Sequence, residues 1–495
     1  MHAGRAAFTF LSLGWEANGG VENGEGKKEA EIKAMSMSGV RTKLPALART
    51  GLLALVAVGL VLVGVAGASG PLNLEDWFPP EIVTVQLPIG EPVGLTAGDF
   101  NGDGLPDLFL ITEVNRPDVF WGVPNPDYEL RFYLLPGEEE GWGEPILVGT
   151  LPLPGFYLWL SDVCSGVDLD GDGNEDLVAL LTFSPVPEPP AVLDPKTFQT
   201  DLFLFWGHGD GTFTVERMRD LPVGLLPPAS IVAGDFNADG LVDLAYDDPQ
   251  NLAIHLLYNR GGRRFSSPHI VVVGQEEDEC IPLPGQLRVA RLDEAREGDD
   301  IVVGGPCIFS QDDYAQFIRG LISCGESCWE LSPLVLTGPR KSEFRDVLGD
   351  FMVGDFNGDG YADVVFTQRL FFEQHEGEPL LPTAMGIYLM TGDGRGGFGP
   401  PVFLHGMAQG SLLSVERAPD GGWEVIALSY EINGAVVLRI KGNGISSSTT
   451  SIPVRGHAAD GVVLDRAGGR EIVVASSLDL ESEVTLLNVV RRRSS

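Results

Sequence analysis

Short Val, Ile, Leu and Phe runs alternate along the chain with clusters of Gly, Asp, Asn and Pro, and long stretches of helical periodicity are missing. Apolar runs of strand length bounded by turn residues predict an all-β fold. One stretch illustrates the grain. Ser230 to Gly234 reads as a strand and Asp243 to Tyr246 begins a second. Leu252 to Tyr258 is a third, Asn259-Arg260-Gly261-Gly262 a turn, and His269 to Val273 a fourth.

This four-strand unit recurs. Its marker is a polar nonapeptide between the first two strands, followed each time by an apolar run such as Leu108-Phe109-Leu110-Ile111. Four clear copies begin at Asp99, Asp168, Asp235 and Asp355. Three worn copies fall near Leu292, near Glu416 and at Asp465. Seven four-stranded units at a long fixed period predict a seven-bladed β-propeller of antiparallel blades. The last unit has strands at Glu471–Ala475 and Glu483–Val490 and then runs out, while Glu81–Gln86 is a strand with no unit of its own. That strand is expected to complete the last blade and close the ring, which also removes two exposed sheet edges.

The marker has the form Asp-x-Asn/Asp-x-Asp-Gly-x-x-Asp. Side-chain oxygens come from positions 1, 3, 5 and 9, and a backbone carbonyl from position 7. In the first loop these are Asp99, Asn101, Asp103, Asp107 and the carbonyl of Leu105. The second supplies Asp168, Asp170, Asp172, Asp176 and Asn174, and the third Asp235, Asn237, Asp239, Asp243 and Leu241. The fourth supplies Asp355, Asn357, Asp359, Asp363 and Tyr361. Oxygen-only donors with relaxed geometry suit Ca2+ at about four sites, better than Mg2+, Zn2+ or copper. Gly at position 6 permits the turn that wraps the donors. The loop is not a helix-loop-helix hand, because position 12 is Leu110, Ala179, Tyr246 or Phe366 instead of a bidentate Glu. A metal-free Asn/Asp/Gly turn is the competing reading of any single copy. The worn units lack the ligand set and are expected to bind no metal.

These loops, together with the turn running from Trp206 through Gly-His-Gly-Asp-Gly-Thr to Phe213, resemble the FG-GAP/VCBS repeats of the integrin α-subunit propeller and of many bacterial exported proteins. The resemblance covers residues 80–490. It implies seven blades, calcium in the loops between first and second strands, and adhesion or ligand binding without catalysis. It does not fix a ligand.

Composition narrows the picture. The formal net charge is −37, which argues against a nucleic-acid partner. Gly51 to Ala68 is apolar, follows Arg41, Lys43 and Arg49, and ends in Ala66-Gly67-Ala68. Residues 37–68 therefore read as a secretory signal peptide, with an uncleaved membrane anchor through 51–68 as the alternative. Residues 1–36 read as a leader outside the fold, with translation expected to start at Met35 or Met37; 69–79 read as a linker and 491–495 as a basic tail. The mature chain is expected to be exported to the exterior or the cell envelope, and monomeric. In an oxidising compartment Cys280–Cys307 and Cys324–Cys328 are candidate disulfides, leaving Cys164 a buried free thiol.

Strand order puts the calcium loops and the turns between third and fourth strands on one face. The long insertions Glu113–Glu129, Ser184–Gln199, Pro306–Tyr314 and Arg369–Thr383 go to the other, which is the expected face for a protein or glycan ligand. No catalytic residues are assigned, since no His-Glu-x-x-His, Gly-x-Ser-x-Gly or phosphate-loop motif appears. A polysaccharide lyase or glycoside hydrolase with scattered residues around the channel is the alternative, and a purely structural envelope protein a third.

Overall fold

The computed structural model describes residues 81–491 apart from 119–121, 140, 187–196, 220, 222–223, 225, 311–312, 339–347, 371–383, 408–409, 418–421, 430–432, 441–446, 467–468 and 479–482. The readings made of residues 1–80 and of the tail beyond 491 lie outside the described residues, as do the centres of two long insertions, 187–196 and 371–383.

Among the described residues seven antiparallel blade sheets follow one another along the chain, with strands here lettered A to D from the innermost outward, and a two-stranded ribbon, Gly137–Glu138 with Gly141–Trp142, stands in the C–D connection of the first. Blade 1 is Glu91–Gly98, Asp107–Val114, Glu129–Leu135 and Ile146–Pro152; blade 2 is Phe156–Val167, Asp176–Pro185, Gln199–Gly207 and Phe213–Met218. Blade 3 is Ile231–Gly234, Asp243–Asp248, Ala253–Leu257 and His269–Val272. In blade 4, strands B and C are Asp300–Ser310 and Asp313–Ser323; A and D are each split, as Ile281–Pro282 with Gln286–Ala290 and Trp329–Leu331 with Val335–Leu336. Blade 5 is Leu348–Gly354, Asp363–Leu370, Ala384–Met390 and Val402–Met407; blade 6 is Gly410–Arg417, Trp423–Ser429, Gly434–Ile440 and Ser447–Pro453. Blade 7 is His457–Arg466, Gly469–Ser477 and Thr485–Arg491, and its strand D is the N-terminal Glu81–Leu87. That strand pairs residue for residue with 485–491, from Glu81 opposite Arg491 to Leu87 opposite Thr485.

The ring is closed in a second sense. Each A strand touches the next around the axis, and the A strand of blade 7 touches that of blade 1. Every junction between neighbouring blades carries its own apolar layer. Phe109 and Phe132 of blade 1 meet Phe205 of blade 2 edge to face, each with centroids 5.1 Å apart. Leu180, Trp206, Leu244 and Tyr246 fill the next junction, and Leu95, Leu110, Val473 and Leu487 the closing one. Strands B and C lie between two neighbours and are buried on both faces. This explains why the sequence shows continuous apolar runs there in place of a period of two.

One expected loop proves to be strand. Pro306–Tyr314 is not an insertion, because strands B and C of blade 4 continue as a hairpin, pairing Pro306 with Gln316 and Ile308 with Tyr314. Cys307 accordingly lies within strand B, not after it, and bonds to Cys280 with a Cα separation of 5.6 Å. Cys324 and Cys328 clip the C–D turn of the same blade, 5.0 Å apart at Cα. Cys164 is free but only partly buried; desolvation still pushes its thiol up to about 12.

Three acids on A strands tie blade to blade near the axis. Asp162 of blade 2 accepts from Ile231 N–H of blade 3 at 2.8 Å, and Asp460 of blade 7 from Leu95 N–H of blade 1 at 2.8 Å. Asp350 of blade 5 accepts from the Leu412 backbone of blade 6 and from Arg288 of blade 4 at 2.6 Å. Desolvation raises the pKa of all three, Asp460 to about 6, where Asp162 and Asp350 add repulsion and the Gly461 and Leu95 N–H groups oppose it. A carboxyl raised above its unfolded value holds an extra proton in the folded state. The stability it adds is complete below the unfolded pKa and is lost as pH rises through the folded one. Without divalent ions the protein is therefore expected to melt higher at pH 5 than at pH 7.5. Asp460→Asn should remove a share of that slope, about 1–3 kcal/mol at most. An unchanged slope in the variant, followed by calorimetry, would refute the assignment.

Candidate metal loops

The four loops share one hydrogen-bonding plan. The carboxylate at position 1 accepts the N–H groups of positions 5 and 6. For Asp99 these are Asp103 at 3.1 Å and Gly104 at 2.9 Å, for Asp168 Asp172 at 3.1 Å and Gly173 at 2.9 Å. Asp235 accepts from Asp239 at 3.1 Å and Gly240 at 2.9 Å, and Asp355 from Asp359 and Gly360, both at 3.1 Å. The carboxylates at position 5, Asp103, Asp172, Asp239 and Asp359, each accept the N–H of position 7, at 2.8 to 2.9 Å. Position 6 has φ between +83° and +93° in all four loops, the left-handed region where only Gly is unstrained.

Position 9 has a structural job beside the one expected from spacing. Asp107, Asp176, Asp243 and Asp363 are fully buried. One oxygen of each accepts the N–H of position 2, and the other accepts from the start of the C–D turn. Those second donors are Gly137, Gly207, Asn259 and Gly392, at 2.7 to 2.9 Å. The residue clamps the two connections of its blade together, so both lie on one face as strand order predicts. Desolvation raises these carboxyls, Asp176 to about 6 and Asp243 to about 7.

Blade 4, without the ligand set, keeps the clamp. Asp300 is buried and accepts from Leu292 at 2.7 Å, Asp293 at 3.2 Å and Ser323 at 2.8 Å. In blades 6 and 7, buried Glu424 and Glu471 stand at the start of strand B and pair with Arg439 and Arg491. Asp300→Ala should strand three N–H groups and cost about 3 kcal/mol or more, by the same amount with calcium or with chelator. A cost that appears only with calcium would make Asp300 a ligand instead.

The donor set fits a hard divalent ion best in the second loop. Carboxylate oxygens of Asp168, Asp170 and Asp176 converge within 4.8 Å of one another, the one such group among the described residues. Oxygens on opposite sides of a calcium ion stand about 5 Å apart. Asp176 also keeps lone pairs free beyond its two N–H bonds, since a carboxylate has about four acceptor positions. In the first, third and fourth loops position 3 is Asn101, Asn237 or Asn357. Its amide turns inward, to Asp107 at 3.3 Å, Asp239 at 3.0 Å and Asp359 at 2.9 Å respectively.

Spacing missed the acids that join loops of successive blades. Glu175, at position 8 of the second loop, accepts from Asp99 N–H of the first at 2.9 Å, and Asp299 of blade 4 accepts from Asp235 N–H at 2.9 Å. Their only sequence signal is an acid directly before the clamp. An open cleft of about 390 Å3 lies beside the fourth loop, lined by Arg291, Glu294, Asp355, Gly360, Tyr361 and Ala362.

A family model described as FG-GAP-like repeat matches residues 168–246, from the second loop through most of strand B of blade 3. No curated protein matches the chain significantly. Among solved structures it resembles a putative 6-phosphogluconolactonase from Bacteroides uniformis, at 12% identity over 70% of this chain and 82% of the other, TM-score 0.39. It also resembles an α-L-arabinofuranosidase from Fusarium graminearum, at 10% over 68% and 93%, TM-score 0.41. A third likeness is the polysaccharide lyase Uly1, at 10% over 82% and 90%, TM-score 0.39. Likenesses this distant say nothing about activity. With seven four-stranded blades in the ring and the repeat matched over residues 168–246, the chain is a seven-bladed β-propeller that carries an FG-GAP-like repeat.

Proposed function

We propose that this chain is an exported, calcium-stabilised propeller that binds a protein or glycan at the cell surface without catalysing a reaction. The observation that carries the reading is the second loop, where three carboxylates converge at calcium spacing on a frame of backbone N–H bonds repeated in three further loops. In each loop the residues at positions 1, 3, 5 and 9 and the carbonyl at position 7 would hold the ion. Its chemistry there is charge neutralisation and cross-linking of a turn. Two disulfides support an oxidising compartment. The ligand face is the one opposite the loops, where the B–C connections emerge. Among the described residues no helix is long and apolar enough to cross a membrane.

The test is a calcium count on purified protein by metal analysis after equilibrium dialysis. About four ions per chain are expected, and none would overturn the reading. Immobilised on a glycan array and on envelope-protein extracts, the protein should show saturable binding without turnover. Cleavage of an acidic polysaccharide would replace the binding module with an enzyme.

A further inference from the structure

The second loop differs from the other three in a way that adds a layer of control. Its position 3 is Asp170, where the others have Asn, and the extra carboxylate is met by Arg263 from the next blade. Arg263 Nε donates to Asp170 Oδ2 at 2.8 Å and Nη2 lies 2.7 Å from the same oxygen, while the guanidinium stands 4.9 Å above the Trp206 ring.

The turn that delivers Arg263 is built for the purpose. Arg263 lies two residues before Phe265, just as Gly211 lies two before Phe213 and Gly396 two before Phe398. Those glycines have φ of +80° and +88°, and Arg263 adopts +60°, a conformation that strains a residue with a Cβ. The position faces the preceding blade's loop, since a Cβ on Gly211 would stand 3.7 Å from Asn101 Cβ, the position-3 residue of the first loop. The same packing recurs one blade on, where Asn259 of this turn donates to the Leu169 carbonyl at 2.6 Å. An arginine at a glycine's position and an aspartate at an asparagine's position thus form a matched pair across one blade junction.

We propose that Arg263 is a built-in competitor for the cation of the second loop. This rests on the calcium reading above. The guanidinium engages the Asp170 oxygen nearest to it and sets a fixed positive charge against the site, so a divalent ion must displace it or bind against its repulsion. The second loop is therefore the last of the four to fill. Its filling releases Arg263 from Asp170 and from Trp206, and so converts the ion pair joining blades 2 and 3 into a calcium-dependent one.

Calcium titration calorimetry of the full chain tests this against Arg263→Gly, which restores the residue used in the equivalent turns, and Asp170→Asn, which gives the loop its neighbours' residue. Asp168→Ala abolishes the second loop and identifies its class in the isotherm. In the unaltered chain one ion should bind at least 10-fold more weakly than the rest, with a change in tryptophan emission as it binds. That weak class should be missing from Asp168→Ala and should tighten 10-fold or more in Arg263→Gly, whereas Asp170→Asn, which removes a ligand charge together with the arginine's partner, should not tighten it. If calcium binds but Arg263→Gly leaves the isotherm unchanged, the competitor role falls and the calcium reading stands. If no chain binds calcium, both fall together.

Discussion

Removing calcium is expected to lower the melting temperature of this protein by about 13 °C. Four independent sites at 100-fold excess over their dissociation constants would contribute about 11 kcal/mol. A ring of roughly 400 residues melting as one unit has an unfolding entropy near 0.8 kcal/mol/K, which converts that loss to the stated shift. The electrostatic reason is local. The four loops together hold 13 aspartates at their donor positions, and without a cation the acids at positions 1, 5 and 9 repel across a few ångströms. Calorimetry with calcium and with chelator reads the effect, and Asp235→Ala should forfeit about a quarter of it. An unchanged melting temperature would make the loops hydrogen-bonded turns that need no ion. The backbone N–H groups around Asp99, Asp168, Asp235 and Asp355 show how such turns would hold.

The second large effect concerns closure. A chain beginning at Ile89 lacks strand D of blade 7 and should lose its cooperative fold, with soluble yield down at least 10-fold. Seven residue pairs disappear with that strand, and so does the Thr84 hydroxyl bond to Asn488 at 2.9 Å. Leu87, buried against Val473 and Leu487, goes too, with Val85 packed beside it. Burial of two such side chains is worth about 1.5–3 kcal/mol each. The larger consequence is that Thr485–Arg491 becomes an unpaired apolar edge, a template for aggregation. A peptide spanning Glu81–Leu87 supplied in trans should restore part of the soluble yield by adding back the strand. Normal yield and an unaltered melting temperature without residues 81–88 would show that the seam does not hold the ring.

Local patterns carried most of the architecture. Four blades announce themselves by loops with Gly and Asp at fixed offsets, and the others by a B strand that, buried on both sides, needs an unbroken apolar run. The closing strand was legible for the same reason, as one strand too many at the start and one too few at the end. Blade 4 departs from the expected loop at Pro306–Tyr314, because a proline and polar residues in a long hairpin look locally like a turn; only pairing with Gln316 and its neighbours makes them strand.

What sequence alone determined was the fold, the positions of the four loops and the acid-rich side chains they carry, all of which follow from periodicity and residue type within one unit. What tertiary structure decided lies mostly between units. It set Glu175 and Asp299 against the preceding loops, lined the axis with Asp162, Asp350 and Asp460, and brought Arg263 onto Asp170, while within each of the four blades it made the ninth acid a clamp on the C–D turn. The partners in neighbouring blades are separated in the chain by 62 to 365 residues, and the distance between them is set by how one blade stacks on the next, which no local spacing encodes.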